Sequence, residues 1–349
     1  MTRKTVRVLA AIVVGLVLVL LVLERTDDDD GVTDGRALLP GFKSRANDVM
    51  RVVISWPVDE EEITIRRAGN VWVVAARDDY PADVGKLRQL MVALADAGIV
   101  EEKTSDPEQY EKLGVDDPAD GGDGPKILAD GEGFSYEVIL GDSARRDFRY
   151  ARIPDQPTSY LIDRNPDVPE SVGDWLLPEV IDISSERVRR VSISHADGDN
   201  IVIEKSAEDL TDFAVPDIPA GRELSYATVG NGVAGALSNL ELEDVRAHDE
   251  TTTDTRVVYE TWDGLEITAD VSVVDDTTWV AFAVVAAPVE PAADAADGGE
   301  NQDSSRPSAP SQAEELNARL SGWQYQLPDY KKNLLIRRWD DILKDADDS

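Results

Sequence analysis

The sequence predicts an α+β protein, with an N-terminal transmembrane helix followed by two related α+β units. Each unit is expected to contain a hairpin, a helix, an antiparallel meander and a short helix. Two observations support this prediction. An apolar run over residues 8–23 contains no charged side chain. Beyond it, the order of strand-like and helix-like patterns in residues 49–183 recurs in residues 184–349.

The apolar run has the flanks of a membrane anchor. Arg3, Lys4 and Arg7 precede it, and the acidic residues 27–30 follow it. As a helix its sixteen residues span about 24 Å. That length is slightly below the ~30 Å hydrocarbon core, and Arg7 can extend toward the head groups. A cleaved signal peptide is the alternative, but no small-x-small cleavage site follows the run.

The charge difference between the two flanks predicts the orientation of this anchor. Basic residues before an apolar segment remain in the cytoplasm, so the chain from about residue 27 onward is expected outside. The predicted location is therefore the cytoplasmic (inner) membrane. The chain would cross it in a single pass, with its N-terminus in the cytoplasm and its bulk extracytoplasmic or periplasmic.

The chain divides into four predicted segments. The anchor covers residues 1–25, and an acidic tether covers residues 26–48. The first repeat unit covers residues 49–183, and the second covers residues 184–349. Residues 286–312 interrupt the second unit and are rich in Ala, Pro, Asp, Gly and Ser. They are predicted to form a disordered insertion, because loops of this length seldom have a fixed structure.

The recurring order of elements carries the prediction of a repeat. Residues 52–54 and 63–65 are typical of a hairpin, and residues 84–97 have apolar positions at helical spacing. The second unit has a hairpin around the turn at residues 197–200 and a helical pattern over about 225–240. Strand-like segments and a short helical segment follow in both units.

The composition excludes several classes of function. The 70 acidic and 35 basic residues give a net charge of −35. Such a chain repels nucleic acid, and its charge argues against docking onto anionic lipid head groups. It contains no cysteine. Disulfides, thiol nucleophiles and zinc–thiolate sites are therefore excluded.

Residues 230–235 spell Gly-Asn-Gly-Val-Ala-Gly, which matches the dinucleotide-binding fingerprint. The repeat places this segment where the first unit has an amphipathic helix, so we predict a glycine-containing helix there. His195 and His248 have no metal-ligand spacing and are predicted to lie on the surface. Acidic residues in a Gly-rich stretch do not match a calcium loop and are explained by turns: Asp116, Asp117, Asp120 and Asp123.

The tryptophans are predicted to pack in the core or in turns. Trp72 and Trp279 lie in strand patterns, and Trp175 and Trp323 occupy equivalent positions of the repeat. Trp56, beside a proline at a strand end, is the candidate for an exposed sugar-binding ring. We predict no catalytic, cofactor-binding or metal-ligating residue, no cofactor, and no enzymatic activity.

Several segments carry a family resemblance. They are residues 71–74 (VWVV), 80–83 (YPAD), 110–118 (YEKLGVDDP) and 322–330 (GWQYQLPDY). Together with the N-terminal anchor, they resemble the bacterial domain-of-unknown-function 4340 family. The resemblance implies neither a reaction nor catalytic residues. Members of that family are often encoded beside ABC-transporter genes of the gliding-motility type, which implies an accessory role in the cell envelope.

Three functions follow as hypotheses. The first is a non-enzymatic, membrane-tethered accessory protein with an envelope partner, such as the membrane subunits of an ABC transporter. The alternative is a periplasmic module that binds a glycan or another envelope polymer, which requires an exposed aromatic cleft. The third is a hydrolase with two carboxylates, which requires a pocket holding them about 5–10 Å apart.

Overall fold

The computed structural model describes residues 36–57, 60–249, 252–288 and 308–344. The predicted transmembrane helix at residues 1–25 and the tether up to residue 35 lie outside these ranges. So do residues 289–307 of the predicted insertion. Within the described ranges, no helix is both long enough and apolar enough to cross a membrane.

The described chain is built mainly from large antiparallel sheets, so the predicted α+β class is wrong. The physical reason is that two segments predicted to be helical form only short helical elements. The pattern over 225–240 gives a helix of only six residues, Val229–Ala234, because its glycines disfavour helix by about 1 kcal/mol each. The short helical segment predicted near the end of the first repeat unit is a single 3₁₀ turn, Val172–Trp175.

The strands are β1 (Val49–Ser55), β2 (Ile63–Ala68), β3 (Val71–Val74), β4 (Tyr80–Pro81), β5 (Ile99–Glu102), β6 (Lys126–Gly131), β7 (Phe134–Arg145), β8 (Phe148–Arg152), β9 (Ser159–Ile162), β10 (Glu179–Ile181), β11 (Val188–His195), β12 (Asn200–Glu204), β13 (Leu240–Glu241), β14 (Asp244–Ala247), β15 (Thr255–Thr261), β16 (Leu265–Val274), β17 (Thr277–Ala286) and β18 (Trp323–Gln326). The helices are α1 (Phe42–Arg45), α2 (Val84–Asp96), α3 (Val229–Ala234), α4 (Ala309–Leu320), α5 (Asp329–Leu335) and α6 (Trp339–Ile342).

The chain forms two compact units. The first comprises residues up to Trp72 together with Val84–Glu170, and the second comprises Val73–Asp83 together with Ser171–Ser349. Their boundary therefore falls at 170/171, whereas the repeat was predicted to divide at 183/184. The second unit also takes a short segment from early in the chain.

The first unit is an antiparallel sheet with a helix on it. Within this unit the strand order is β3-β2-β1-β6-β7-β8-β9-β5. Three consecutive residues of β1, Val52 to Ile54, are buried, and Val52 and Ile54 pair with Ile65 and Ile63 of β2. Helix α2 buries leucines and a methionine at helical spacing, as the sequence predicts: Leu87, Leu90, Met91 and Leu94.

The second unit contains a seven-stranded antiparallel sheet and a separate pair of strands, β10 and β13. The order of the seven strands is β12-β11-β15-β16-β17-β18-β14. Its centre is filled by fully buried side chains, among them Tyr259, Ile267 and Tyr325. Helix α4 packs on β17, where the Asn317 side chain accepts a hydrogen bond from the Val284 N–H at 3.0 Å.

Both units use the same strand order. The first unit's β2-β1-β6-β7-β8-β9-β5 corresponds position by position to the second unit's β12-β11-β15-β16-β17-β18-β14. In both, the last strand of the order, β5 or β14, comes after a helix and closes the same side of the sheet. Two segments of the chain thus adopt one topology.

Residues 73–83 form a strap that belongs to the second unit. Tyr80 is 2% exposed and lies edge-on to Trp323, with ring centroids 5.0 Å apart. A second edge-on contact joins Tyr80 to Tyr325 at 6.3 Å. Burial raises the pKa of the Tyr80 phenol to about 12, so this side chain stays neutral at physiological pH.

The strap also covers the edge strand β14. The Asp78 carboxylate accepts the Ala247 N–H at 3.1 Å, and Arg77 Nε donates to Asp244 Oδ1 at 2.6 Å. An edge strand presents main-chain groups that invite pairing with other chains unless they are covered. The strap therefore supplies both apolar packing and an edge cover.

Replacing Tyr80 should destabilise the second unit. We expect Tyr80→Ala to lower its free energy of unfolding by about 3–5 kcal/mol, the usual cost of truncating a buried aromatic ring. Urea denaturation of the full chain, with hydrogen exchange of β18 as the local signal, measures this change. Tyr330→Ala, at a side chain 67% exposed, is the matched control and should stay within about 0.5 kcal/mol of wild type. Equal effects of the two substitutions would contradict the role given to the strap.

Candidate functional site

The segment at residues 110–118 is a tightly packed loop of the first unit. Tyr110 and Val115 are buried against Ile139 of β7. Two glycines permit the contact. Gly114 has a φ of +64°, and a Cβ on Gly141 would lie 2.1 Å from the Leu113 carbonyl oxygen. The loop therefore fits against the sheet only with glycine at these positions.

Arg152 fixes this loop from the side of β8. It is 8% exposed, and its Nε donates to the Val115 carbonyl at 2.8 Å. Its guanidinium also lies 4.6 Å from the centre of the Tyr110 ring. A buried cation is thus used to hold the main chain of the loop.

Asp117 caps the same loop. Its carboxylate accepts the Ala119 N–H at 3.0 Å and pairs with Lys126 Nζ at 2.9 Å. Burial acts to raise the pKa of Asp117, but the hydrogen bonds from Lys126 and Ala119 outweigh it and hold the pKa below its ordinary value. Among the described residues, no group of three or more His, Asp or Glu side chains is arranged to hold a metal ion. The turn interpretation of Asp117 agrees with its contacts.

His195 is buried, so the prediction that it lies on the surface is wrong. Its Nε2 donates to the Arg337 carbonyl at 3.0 Å, and its Nδ1 lies 2.8 Å from the Thr255 hydroxyl. The strand pattern put His195 beside a polar turn, and nothing in the sequence indicated that a segment 142 residues later would cover it. His248 is exposed.

The Gly-Asn-Gly-Val-Ala-Gly segment forms α3 and the residue after it, as the helix prediction requires. A Cβ on Gly230 would lie 2.9 Å from the Ile203 side chain, so this glycine allows the helix to approach β12. The Asn231 side chain accepts the Phe213 N–H at 2.9 Å. These contacts give Gly230 and Asn231 a structural role in packing.

Lys331 is buried beside the turn that follows α3. Its ammonium group donates to the Ala236 carbonyl at 3.0 Å and to the Ser238 carbonyl at 2.5 Å. Burial lowers its pKa. The group thus ties α5 to this turn.

The tryptophans have mixed positions. Trp175 is fully buried, as predicted. Trp72, Trp279 and Trp323 are half-buried, and so is Trp56, the candidate for an exposed sugar-binding ring. Trp279 carries the Arg246 guanidinium over its ring at 4.2 Å.

Residues 36–48, predicted as part of the tether, are folded into the first unit. Leu38, Leu39 and Phe42 are buried. The lead-in segment, residues 36–45, begins as an extra partner of β5, since the Leu38 N–H donates to the Ala97 carbonyl at 2.8 Å. An apolar Leu-Leu-Pro-Gly-Phe sequence within a basic, acid-free stretch was the signal that this segment is more than a spacer.

Three grooves adjoin the lead-in segment. The lead-in groove has a volume of about 470 Å³ and is lined by five charged side chains around the Gly98 backbone: Arg36, Lys43, Asp96, Asp163 and Arg164. Two grooves of about 380 Å³ each run along Leu38 and Pro40. The sequence interpretation did not find these grooves, because they are made by residues far apart in the chain.

The charges of the lead-in groove are arranged as pairs. Lys43 Nζ lies 2.7 Å from Asp96 Oδ1, and Arg164 lies 3.5 Å from Asp163. The Asp163 carboxylate is fixed by the Gly98 N–H at 2.8 Å. Lys43 lowers the pKa of Asp96 through a hydrogen bond and through its charge. The groove therefore presents paired groups of both signs.

A family model described as a domain of unknown function (DUF4340) matches residues 72–258, more than half of the chain. The match contains the strap, the 110–118 loop and α3. No curated protein and no solved structure matches the chain.

Asp117 gives a pH-dependent contribution to stability. Because its folded pKa is depressed, this contribution is present above the unfolded pKa of about 4 and is lost as the pH falls through the folded pKa. We expect Asp117→Asn to cost about 1 kcal/mol at pH 7 and much less at pH 2.5. Urea denaturation at both pH values tests this, with Asp123→Asn as the exposed acidic control. A cost that is equal at both pH values would refute the assignment.

Proposed function

This chain belongs to the DUF4340 family, and on that premise we propose that it is a non-enzymatic accessory protein tethered to the membrane. Its folded units would stand on the extracytoplasmic side of the cytoplasmic membrane and contact an envelope partner. The partner that the family resemblance suggests is the set of membrane subunits of an ABC-type transporter. The proposal concerns presentation of a surface, with no reaction.

The observation that supports it most is how the buried basic groups are used. Within the described residues these are Arg152, His195, Lys205 and Lys331. Three of them donate to main-chain carbonyls of their own unit. The fourth, Lys205, has its ammonium group 4.8 Å from the centre of the Phe213 ring. Catalytic sites keep such ionisable groups available to contact substrate. In this chain they bind groups of their own unit instead.

The sequence supports the membrane location. The apolar run at residues 8–23 has basic residues before it and acidic residues after it. Arg36, the first described residue, lies thirteen positions beyond the end of that run. The first unit would then stand close to the membrane surface, beside any partner embedded in the membrane.

The orientation can be tested with single cysteines, since the chain has none of its own. We expect Asp120→Cys, at an exposed loop position, to react with a membrane-impermeant maleimide on intact spheroplasts. Thr2→Cys should react only after the membrane is permeabilised, because it would lie in the cytoplasm. Protection of Asp120→Cys, or labelling of Thr2→Cys in intact spheroplasts, would rule out this topology.

The partner can be tested by capture from native membranes. After crosslinking, capture of the full chain should enrich membrane subunits of an ABC-type transporter. A control chain with residues 1–35 fused to an unrelated folded protein keeps the anchor and loses both units, so it should not enrich them. If the two captures yield the same proteins, or no transporter subunit is found, the partner proposal is wrong.

A further inference from the structure

We propose that the lead-in groove binds the head group of a zwitterionic aminophospholipid. The phosphate would be held by Arg36, Lys43 and Arg164, and the ammonium by Asp96 and Asp163. The inference rests on the proposed function, because only a tethered chain keeps this groove beside a lipid surface.

The cations of the groove can exchange partners at little cost. The Lys43 side chain is 78% exposed and the Arg164 side chain is 44% exposed in their ion pairs. Arg36 pairs with Glu102 at 2.9 Å and is also half exposed. Exposed pairs of this kind contribute only about 0–1 kcal/mol. The lipid phosphate is a diester whose single negative charge is shared by two non-bridging oxygens, and these oxygens can accept hydrogen bonds from the cations in place of the carboxylates.

The anionic side of the groove is held in place. Asp163 accepts the Gly98 N–H, and a Cβ on residue 98 would lie 3.1 Å from the Asp163 carboxylate, so glycine lets this carboxylate lie against the main chain. Asp96 stays ionised at neutral pH beside Lys43. Two carboxylates next to three cations match a ligand that carries a phosphate and an ammonium group together.

The head groups are within reach of the groove. Twelve residues, 24–35, separate the apolar run from Arg36. Twelve extended residues span at most roughly 40 Å. Arg36 itself lines the groove, so the site cannot lie farther than this from the end of the membrane segment.

The charges of the groove and of the whole chain favour a zwitterionic head group over an anionic one. The groove lining carries three cations and two carboxylates, whereas the whole chain has a net charge of −35. An anionic lipid surface is repelled by the acidic body. A head group with both charges avoids most of that repulsion and still meets complementary groups in the groove.

The test uses the purified full chain in a neutral detergent and titrates it with short-chain lipids. Dihexanoyl-phosphatidylethanolamine should bind about tenfold more tightly than the phosphatidylglycerol and phosphatidylcholine analogues. The double variant Lys43→Gln/Arg164→Gln should lose about tenfold in affinity for phosphatidylethanolamine. Arg256→Gln, which breaks an exposed ion pair with Asp270 in the second unit, is the matched control and should bind as wild type does.

Several results would overturn the inference. They are equal binding of the three lipids, no binding, or an equal loss in the Arg256→Gln control. Glycerophosphoethanolamine bound as tightly as the lipid would assign the site to a free metabolite. A photo-crosslinker at position 95, where an uncharged alanine lines the groove, that captured a protein and no lipid in native membranes would assign the site to a protein partner. The cysteine labelling above reports separately on the proposed function, because the titration in detergent does not depend on topology.

Discussion

The open edge of an antiparallel sheet is the constraint on which this molecule depends. Edge strands leave N–H and C=O groups without partners, and these groups pair with other chains unless something covers them. Both units follow the same seven-strand order, so the same edge is left open in each. Each is covered by a segment from earlier in the chain, the lead-in segment on β5 and the strap on β14. The open edge of the sheet is therefore covered in the same way in both units.

Buried cationic side chains hold the irregular segments that lie outside the sheets. Arg152 and Lys331 lie where irregular segments meet the regular core, and each bonds main-chain carbonyls that have no strand or helix partner. A buried carbonyl without a partner costs free energy comparable to a lost hydrogen bond. Long cationic side chains satisfy such groups at a distance, so each irregular segment is joined to the core by a side chain.

The sequence predicted the local elements better than the class of the fold. The spacing of Leu87, Leu90 and Leu94 predicts α2, and the two β-branched segments at residues 52–54 and 63–65 predict the first hairpin, since both patterns are local. The class was wrong because glycines near residue 230 shorten a segment with helical spacing. His195 and the lead-in groove were missed for a different reason. Their surroundings come from residues distant in sequence, which no local pattern reveals.

The strap has a consequence for how the protein is made. Tyr80 and Trp323 are neighbours in space but are 243 positions apart in the chain. At synthesis rates of about 5–20 residues per second, roughly 10–50 s pass before the partners of Tyr80 have been made. During that interval the Tyr80 ring has been synthesised but β18, which supplies its aromatic partners, has not. The strap is therefore packed only after β18 has been synthesised. A ribosome that stops before β18 leaves the Tyr80 ring exposed and able to associate with other chains.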